Sequence, residues 1–319
     1  MTTTLPIYCD CDPGIDDSLA LGYLAASPLV RLVGVGSVFG NCPAPVGARN
    51  ACDWLGLMGS PEVPVAIGAL KPSHGEFHGG TPWIHGQHGT GAITLPRAET
   101  DPIDASAAEL IVRLAHEHAG ELALVTVGPL TNIALALDLE PELPHLVRSL
   151  TLMGGAALHE GNVTPVAEAN IFKDPESARR VFEQPWPMTM VGLDVTMEHT
   201  LEERHRERLL SSGRPAAIAL AQVLDFYFDF HLGVYGRRCS CVHDPLAAMV
   251  AAGGALPLIA PVVTVEVDTT DGPGRGQTIC DLRGRYRGFP PQDGAHCQVV
   301  LEVEDSAPDH LVDTLVNFL

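Results

Sequence analysis

The chain has 319 residues, 46% of them hydrophobic, which is enough to bury a large core in one α/β domain spanning 1–319. Its formal net charge is −20, from 19 basic and 39 acidic residues, which argues against a nucleic-acid partner and suits neutral or cationic small ligands. No apolar run reaches the length of a membrane span, so no membrane association is expected, and the early first strand leaves no expected signal peptide.

The first predicted element is a strand, Leu5–Cys11, which runs into Asp10, Asp12, Asp16 and Asp17. Four carboxylates thus fall within eight positions, and such crowding is costly unless a cation neutralises it. Ligands that are all oxygen suit a hard ion, Ca²⁺ or Mg²⁺. The turn at Pro13-Gly14 lets carboxylates from both sides converge. A plainer reading is a helix N-terminus, with Asp10 or Asp12 as cap and Asp16 and Asp17 in the first turn. That accounts for two or three of the acids.

Further strands are expected at Val30–Val38, Val63–Ile67, Leu122–Val127, Ser149–Met153 and Met188–Val191. Helices are expected at Asp16–Ala26, Ala44–Leu57, Ser106–His118, Leu130–Asp138, Pro175–Glu183 and Ala216–Phe230. Apolar strands separated by helices predict a single open, mostly parallel Rossmann-like sheet covered on both faces. After Pro261, Val262–Val267, Gln277–Leu282 and Gln298–Val303 read as a small C-terminal β extension of the same domain. The long segment Gly68 to Asp104 is rich in Gly and His, and a loop of that length is usually functional.

Most polar clusters follow the end of a predicted strand: Asp10 and Asp12, Gly40-Asn41, Gly128 to Asn132, and the Asn162, Glu168, Asn170 group. In open parallel sheets the ligand crevice lies outside the carboxyl ends of the strands, so these clusters can face one site. The glycines Gly34, Gly36 and Gly40 do not have dinucleotide spacing and read as turn formers. His74, His78, His85 and His88 read as a loop contacting ligand rather than a zinc site. In His243-Asp244-Pro245, Asp244 reads as a helix cap that could also ligate a metal, with Pro245 at the first helical position. None of the eight cysteines forms a Cys-x-x-Cys pair, so reduced thiols in a cytoplasmic protein are expected.

Together, Asp10-Cys-Asp12-Pro-Gly-Ile-Asp16-Asp17, Gly40-Asn41, Gly128-Pro-Leu-Thr-Asn132, Met153-Gly-Gly, Glu160-Gly-Asn162, Ala167-Glu168-Ala-Asn170, Asp174-Pro175 and Val242-His243-Asp244-Pro245 resemble the inosine–uridine-preferring nucleoside hydrolase family. The motifs occur in family order over nearly the whole chain. The resemblance implies hydrolysis of a ribonucleoside to ribose and free base by a cytoplasmic homodimer or homotetramer. It implies one Ca²⁺ held by Asp12, Asp17, Asp244 and the Val127 carbonyl, with Asp10 in support and Asp12 doubling as general base. Asp16, Asn41, Asn162, Glu168, Asn170 and Asp244 would bind ribose hydroxyls, and Met153 would line the sugar pocket.

His243 is the natural acid or hydrogen-bond donor to the leaving base, and His85-Gly86 matches the family's mobile loop. His231 and Tyr235 resemble base-contacting positions of pyrimidine-preferring members, which favours uridine or cytidine over inosine. In that reading the Tyr235 hydroxyl and a His231 N–H donate to the pyrimidine carbonyls. The two share a face only if their helix continues past Gly233; otherwise both pack in the core. A haloacid-dehalogenase-like phosphatase would also open on Asp-x-Asp, but Gly14 stands where it needs Thr or Val, and Lys71 and Lys173 are the only lysines. A non-catalytic ribose-binding protein would not need Asp12 or His243.

Overall fold

The computed structural model describes residues 4–319. The first seven strands in chain order are β1 (Leu5–Cys11), β2 (Val30–Ser37), β3 (Val65–Ile67), β4 (Ile103–Ser106), β5 (Ala123–Thr126), β6 (Ser149–Met153) and β7 (Met188–Val191). With Cys297–Val299 and Val262–Val263 they form a nine-stranded sheet ordered Val262–Val263, Cys297–Val299, β7, β6, β5, β1, β2, β3, β4. All pairings are parallel except that of Val262–Val263 with Cys297–Val299. The mostly parallel α/β sheet expected from the sequence is therefore present.

Side-chain alternation along β1 divides the core. Ile7, Cys9 and Cys11 pack on one face with Leu19, Leu224 and Leu246. Tyr8 packs on the other with Leu110, Leu124 and Ile133. Helices α1 (Ile15–Ala26) and α2 (Ala44–Leu57) cover the first face together with Pro215–Tyr235 and His243–Ala252. Ala107–Glu117, Thr131–Leu139 and Pro175–Phe182 cover the second. All eight cysteines are free.

Several expectations need correction. Gly34 and Gly36 lie inside β2 rather than in a turn. They are small because the backbone there closely approaches other groups: a Cβ on Gly36 would collide with the Tyr8 hydroxyl and Asp10. Helix α1 is capped by Gly14, not by Asp10 or Asp12. The cap of His243–Ala252 is Val242, so Asp244 is a first-turn residue and Pro245 follows it inside the helix. The segment Val262–Val267 splits into two short strands in different sheets, while Val262–Val263 and Cys297–Val299 extend the main sheet of the same domain. The helix expected at Ala216–Phe230 runs from Pro215 to Tyr235 and ends at Gly236 in the left-handed conformation. Gly233 is accommodated on its open side. This helix is, contrary to expectation, long and apolar enough by length and composition to cross a membrane, but half of its apolar window is buried in the core.

Asp174 binds three distant segments together. It caps Pro175–Phe182 through Ser177, accepts the Thr131 hydroxyl at 2.7 Å, and accepts the Ser73 N–H and hydroxyl at 2.9 and 2.6 Å. Its side chain is fully buried, so removing it strands several donors. Asp174→Ala is expected to lower stability by roughly 3 kcal/mol, read as a shift of the urea unfolding midpoint at unchanged slope.

Candidate active site

Two helix N-termini meet beyond the carboxyl end of β1. Asp16 and Asp17 occupy the first turn of α1, and Asp244 the first turn of His243–Ala252. Oxygens from these three carboxylates lie within 4.8 Å of one another, all buried. Both helix dipoles favour negative charge at this point. Asp17 is held by two peptide donors and one side chain: Oδ1 accepts Asp12 N–H at 3.0 Å, and Oδ2 accepts Gly14 N–H at 2.8 Å and the Asn41 side-chain amide at 3.1 Å. Burial, and then the neighbouring acids, push the Asp17 and Asp244 carboxyls well above the usual range, and Asp16 up to about 6.

Asp12 stands beside this trio rather than within it. Its Oδ2 accepts Asn41 N–H at 2.7 Å and pairs with Lys173 Nζ at 3.1 Å. Its Oδ1 is buried without a partner, as is Asp16 Oδ1. Burial raises the Asp12 carboxyl, while Lys173 opposes the shift. Lys173 keeps its proton because Asp12, Glu168 and Asp17 outweigh the cost of burial. Two orphan oxygens in an all-oxygen, acid-rich cluster fit a hard divalent cation. Asp10 does not join the cluster. It accepts the Tyr8 hydroxyl at 2.9 Å and the Asn132 amide at 3.0 and 3.2 Å, and burial pushes it up to about 7.

Above the cluster lies a cavity of about 290 Å³. Asp16, Asn41, His85, Val127, Met153, Asn162, Glu168, Asn170, His231, Tyr235, His243 and Asp244 all line it, whereas Asp10, Asp12 and Asp17 lie outside its lining. Glu168 caps the short helix Ala169–Lys173 and also accepts Gly155 N–H at 3.0 Å, so its position is fixed. The Asn170 amide donates to the Val127 carbonyl at 3.0 Å and the Met153 carbonyl at 3.2 Å. Asn162 uses its amide oxygen to hold Ala169 N–H at 3.0 Å, which leaves its NH₂ for a ligand.

Part of the lining is aromatic. Tyr227, His231 and Tyr235 follow at four-residue intervals along one helix face, with successive ring centroids 4.3 and 5.1 Å apart. The Tyr227 hydroxyl donates to Asp16 at 3.3 Å. The Tyr235 hydroxyl has only sulfur neighbours, Met197 Sδ at 3.8 Å and Cys241 Sγ at 3.7 Å. His85 Nδ1 accepts Ile15 N–H at 3.1 Å and lies 3.8 Å from Asp16. Of the four clustered histidines it alone lines the cavity; His74, His78 and His88 are exposed.

Tautomers follow from these partners. His231 Nδ1 faces the Cys239 carbonyl at 3.1 Å, and a carbonyl only accepts. Nδ1 therefore carries the proton. Burial pushes the imidazole down to about 4, so Nε2 is a bare acceptor at neutral pH. The expected His231 N–H donor is thus corrected to an acceptor. His243 is likewise neutral, pushed down to about 3 by burial and by His231, and its Nδ1 lies 2.8 Å from the Thr196 hydroxyl. When that hydroxyl donates, Nε2 carries the proton.

Sequence reasoning missed Lys173, Tyr227 and Thr196 as parts of the site. Tyr227 was signalled by its spacing of four from His231, and Lys173 by being one of two lysines in the chain. Thr196 carried no signal, since only the fold brings it to His243.

The sequence profile of the family described as inosine-uridine preferring nucleoside hydrolase matches residues 7–308. The chain is 37% identical over 250 residues to a probable uridine nucleosidase 2 of Arabidopsis thaliana, covering 77% of this chain and 76% of that protein. It is 38% identical over 242 residues to the pyrimidine-specific ribonucleoside hydrolase RihA of Salmonella paratyphi B, covering 76% and 77%. A solved purine-preferring ribonucleoside hydrolase from Gardnerella vaginalis superposes with a TM-score of 0.90 at 32% identity, over 98% of each chain. The chain belongs to the inosine-uridine-preferring nucleoside hydrolase family and is a nucleoside hydrolase.

Gly40 sets the position of Asp12, because a Cβ there would collide with the Asp12 carboxylate. Gly40→Ala should therefore cost about 100-fold in kcat while the circular dichroism spectrum stays native. Near wild-type turnover would show that the carboxylate can shift without consequence.

Proposed function

We propose that this enzyme is a Ca²⁺-dependent ribonucleoside hydrolase that cleaves uridine and cytidine ahead of inosine. The observation that carries the reading is that one cavity is lined both by buried carboxylates and by neutral aromatic and imidazole groups. Breaking an N-glycosidic bond places positive charge on the ribose and negative charge on the departing base. The carboxylates suit the first and the neutral donors suit the second.

Asp12, Asp17, Asp244 and the Val127 carbonyl would hold the ion, with Asp16 close by to bind a ribose hydroxyl. Ca²⁺, when bound, would acidify the attacking water and orient the 2′- and 3′-hydroxyls of the sugar. The unpartnered Oδ1 of Asp12 takes up the proton of that water. Asn41, Asn162, Glu168 and Asn170 fix the ribose hydroxyls, and Met153 packs against the ring. Neutral His243 supplies a hydrogen bond from Nε2 to the base, steadied by Thr196 on its other nitrogen.

Pyrimidine preference is supported by the relatives named as uridine- and pyrimidine-specific, and by the Tyr227, His231, Tyr235 face. The Tyr235 hydroxyl can leave its weak sulfur contacts at little cost and donate to a pyrimidine carbonyl. His231 Nε2 is matched to an N–H on the same edge of the base.

A panel of nucleosides assayed for free ribose, with and without chelator and phosphate, tests this reading. Ribose should appear without phosphate and stop on chelation; formation of ribose 1-phosphate would exclude a hydrolase. Asp12→Asn removes the proton acceptor and should lower kcat by about 1,000-fold, so turnover close to wild type would disqualify Asp12 as the base. Tyr235→Phe should lower kcat for uridine about tenfold with a smaller rise in KM. A wild-type preference for inosine would contradict the assignment of this wall.

A further inference from the structure

Among the described residues, Lys173 is the only lysine or arginine lining the cavity. Its charge acts on Asp12, Asp16, Asp17 and Glu168, all buried. Its Nζ lies 3.1 Å from Asp12 Oδ2 and 3.5 Å from Asn41 Oδ1. The side chain is largely sequestered, and it closes the helix Ala169–Lys173, whose C-terminal end favours a cation. The pairing leaves Asp12 Oδ1 as the one oxygen of that carboxylate without a donor.

We propose that Lys173 is a resident counter-cation of the acidic cradle, a positioning residue that orients Asp12 and competes electrostatically with the divalent ion. The proposal rests on the reading of the cluster as an ion site. Two consequences follow from Coulomb's law in a poorly solvated pocket. Without the ion, the ammonium offsets part of the repulsion among the acids and lets the cradle keep its shape. With the ion present, a fixed positive charge beside Asp12 opposes it, so the site binds more weakly than the same carboxylates would alone. A lysine that merely held the fold would have the opposite effect on affinity, because its loss would loosen the ligands.

The test uses Lys173→Met, which keeps the apolar stem and removes the charge, and Lys173→Arg, which keeps the charge. Protein stripped with chelator is titrated with CaCl₂ by calorimetry, and thermal unfolding is followed with and without chelator. Lys173→Met should bind Ca²⁺ about tenfold more tightly than wild type. Its metal-free midpoint should fall by about 5 °C and be restored by Ca²⁺. Lys173→Arg should stay near wild type in both measurements. If Lys173→Met does not fold, Lys173→Gln keeps a donor to Asp12 without the charge and should show the same tightening. Unchanged or weaker Ca²⁺ binding in the uncharged variants overturns the competition. If wild type takes up no Ca²⁺, the ion-site reading itself fails. The counter-cation role then stands or falls on the metal-free midpoint, and an unchanged midpoint overturns it.

Discussion

The burial of negative charge at the carboxyl end of β1 is the constraint around which this molecule is arranged. A carboxylate withdrawn from water is costly unless donors, dipoles or cations replace its hydration. Here the replacements are specific. Peptide N–H groups of Asp12, Gly14 and Asn41 serve Asp17 and Asp12. Two helix N-termini point at the same spot. Lys173 arrives from a third element, and Gly40 and Gly128 leave room for the Asp12 carboxylate by lacking side chains. Parallel strand order makes this possible, since it gathers the loops after β1, β2, β5 and β6 on one edge.

The cavity is polarised as a result. Carboxylates form its floor, while the three imidazoles that line it, His85, His231 and His243, are all driven neutral by burial. A protonated imidazole in this cavity would pair with the acids instead of remaining a neutral donor or acceptor. Keeping the imidazoles neutral leaves donors and acceptors whose direction is set by a backbone carbonyl, a backbone N–H and a threonine hydroxyl. The long helix Pro215–Tyr235 contributes to both parts of this arrangement: Tyr227 touches the acidic floor through Asp16, and Tyr235 joins the lining two turns later.

Much of this was legible in the residues. The bounds of β1, β6 and β7 and of α2 match the periodicity, because each strand is a largely apolar run closed by a turn former or acid and α2 is an amphipathic run opened by a proline. The carboxylate signature located the site because no helix cap needs four acids. What escaped was short or depended on tertiary contacts. The edge strand Ile103–Ser106 is only four residues long and has little apolar pattern. The C-terminal helix Ala307–Phe318 follows strands that set an expectation of more β structure. The continuation of Pro215–Tyr235 past Gly233 was decided by packing and ring stacking, which override a modest propensity penalty. The protonated nitrogen of His231 could not be read at all, since it depends on where the Cys239 carbonyl falls.

Buried acids in this fold divide by whether their oxygens are saturated. Asp10 meets Tyr8 and Asn132, Asp174 meets Ser73, Thr131 and Ser177, and the half-buried Asp194 receives three successive N–H groups from Ala157 to His159. Saturated carboxylates of this kind have little lone-pair capacity left for a ligand, and they act as struts between distant segments. Asp12 and Asp16 differ, because each keeps one buried oxygen without a donor. Such an oxygen is a standing cost of roughly 1–3 kcal/mol or more in the free protein. A fold that surrounds Asp10, Asp174 and Asp194 with donors yet leaves Asp12 and Asp16 open is carrying that cost beside the cavity, where a ligand can relieve it. The unsatisfied atoms, more than the density of acids, therefore separate the carboxylates proposed to take part in the chemistry from the structural ones.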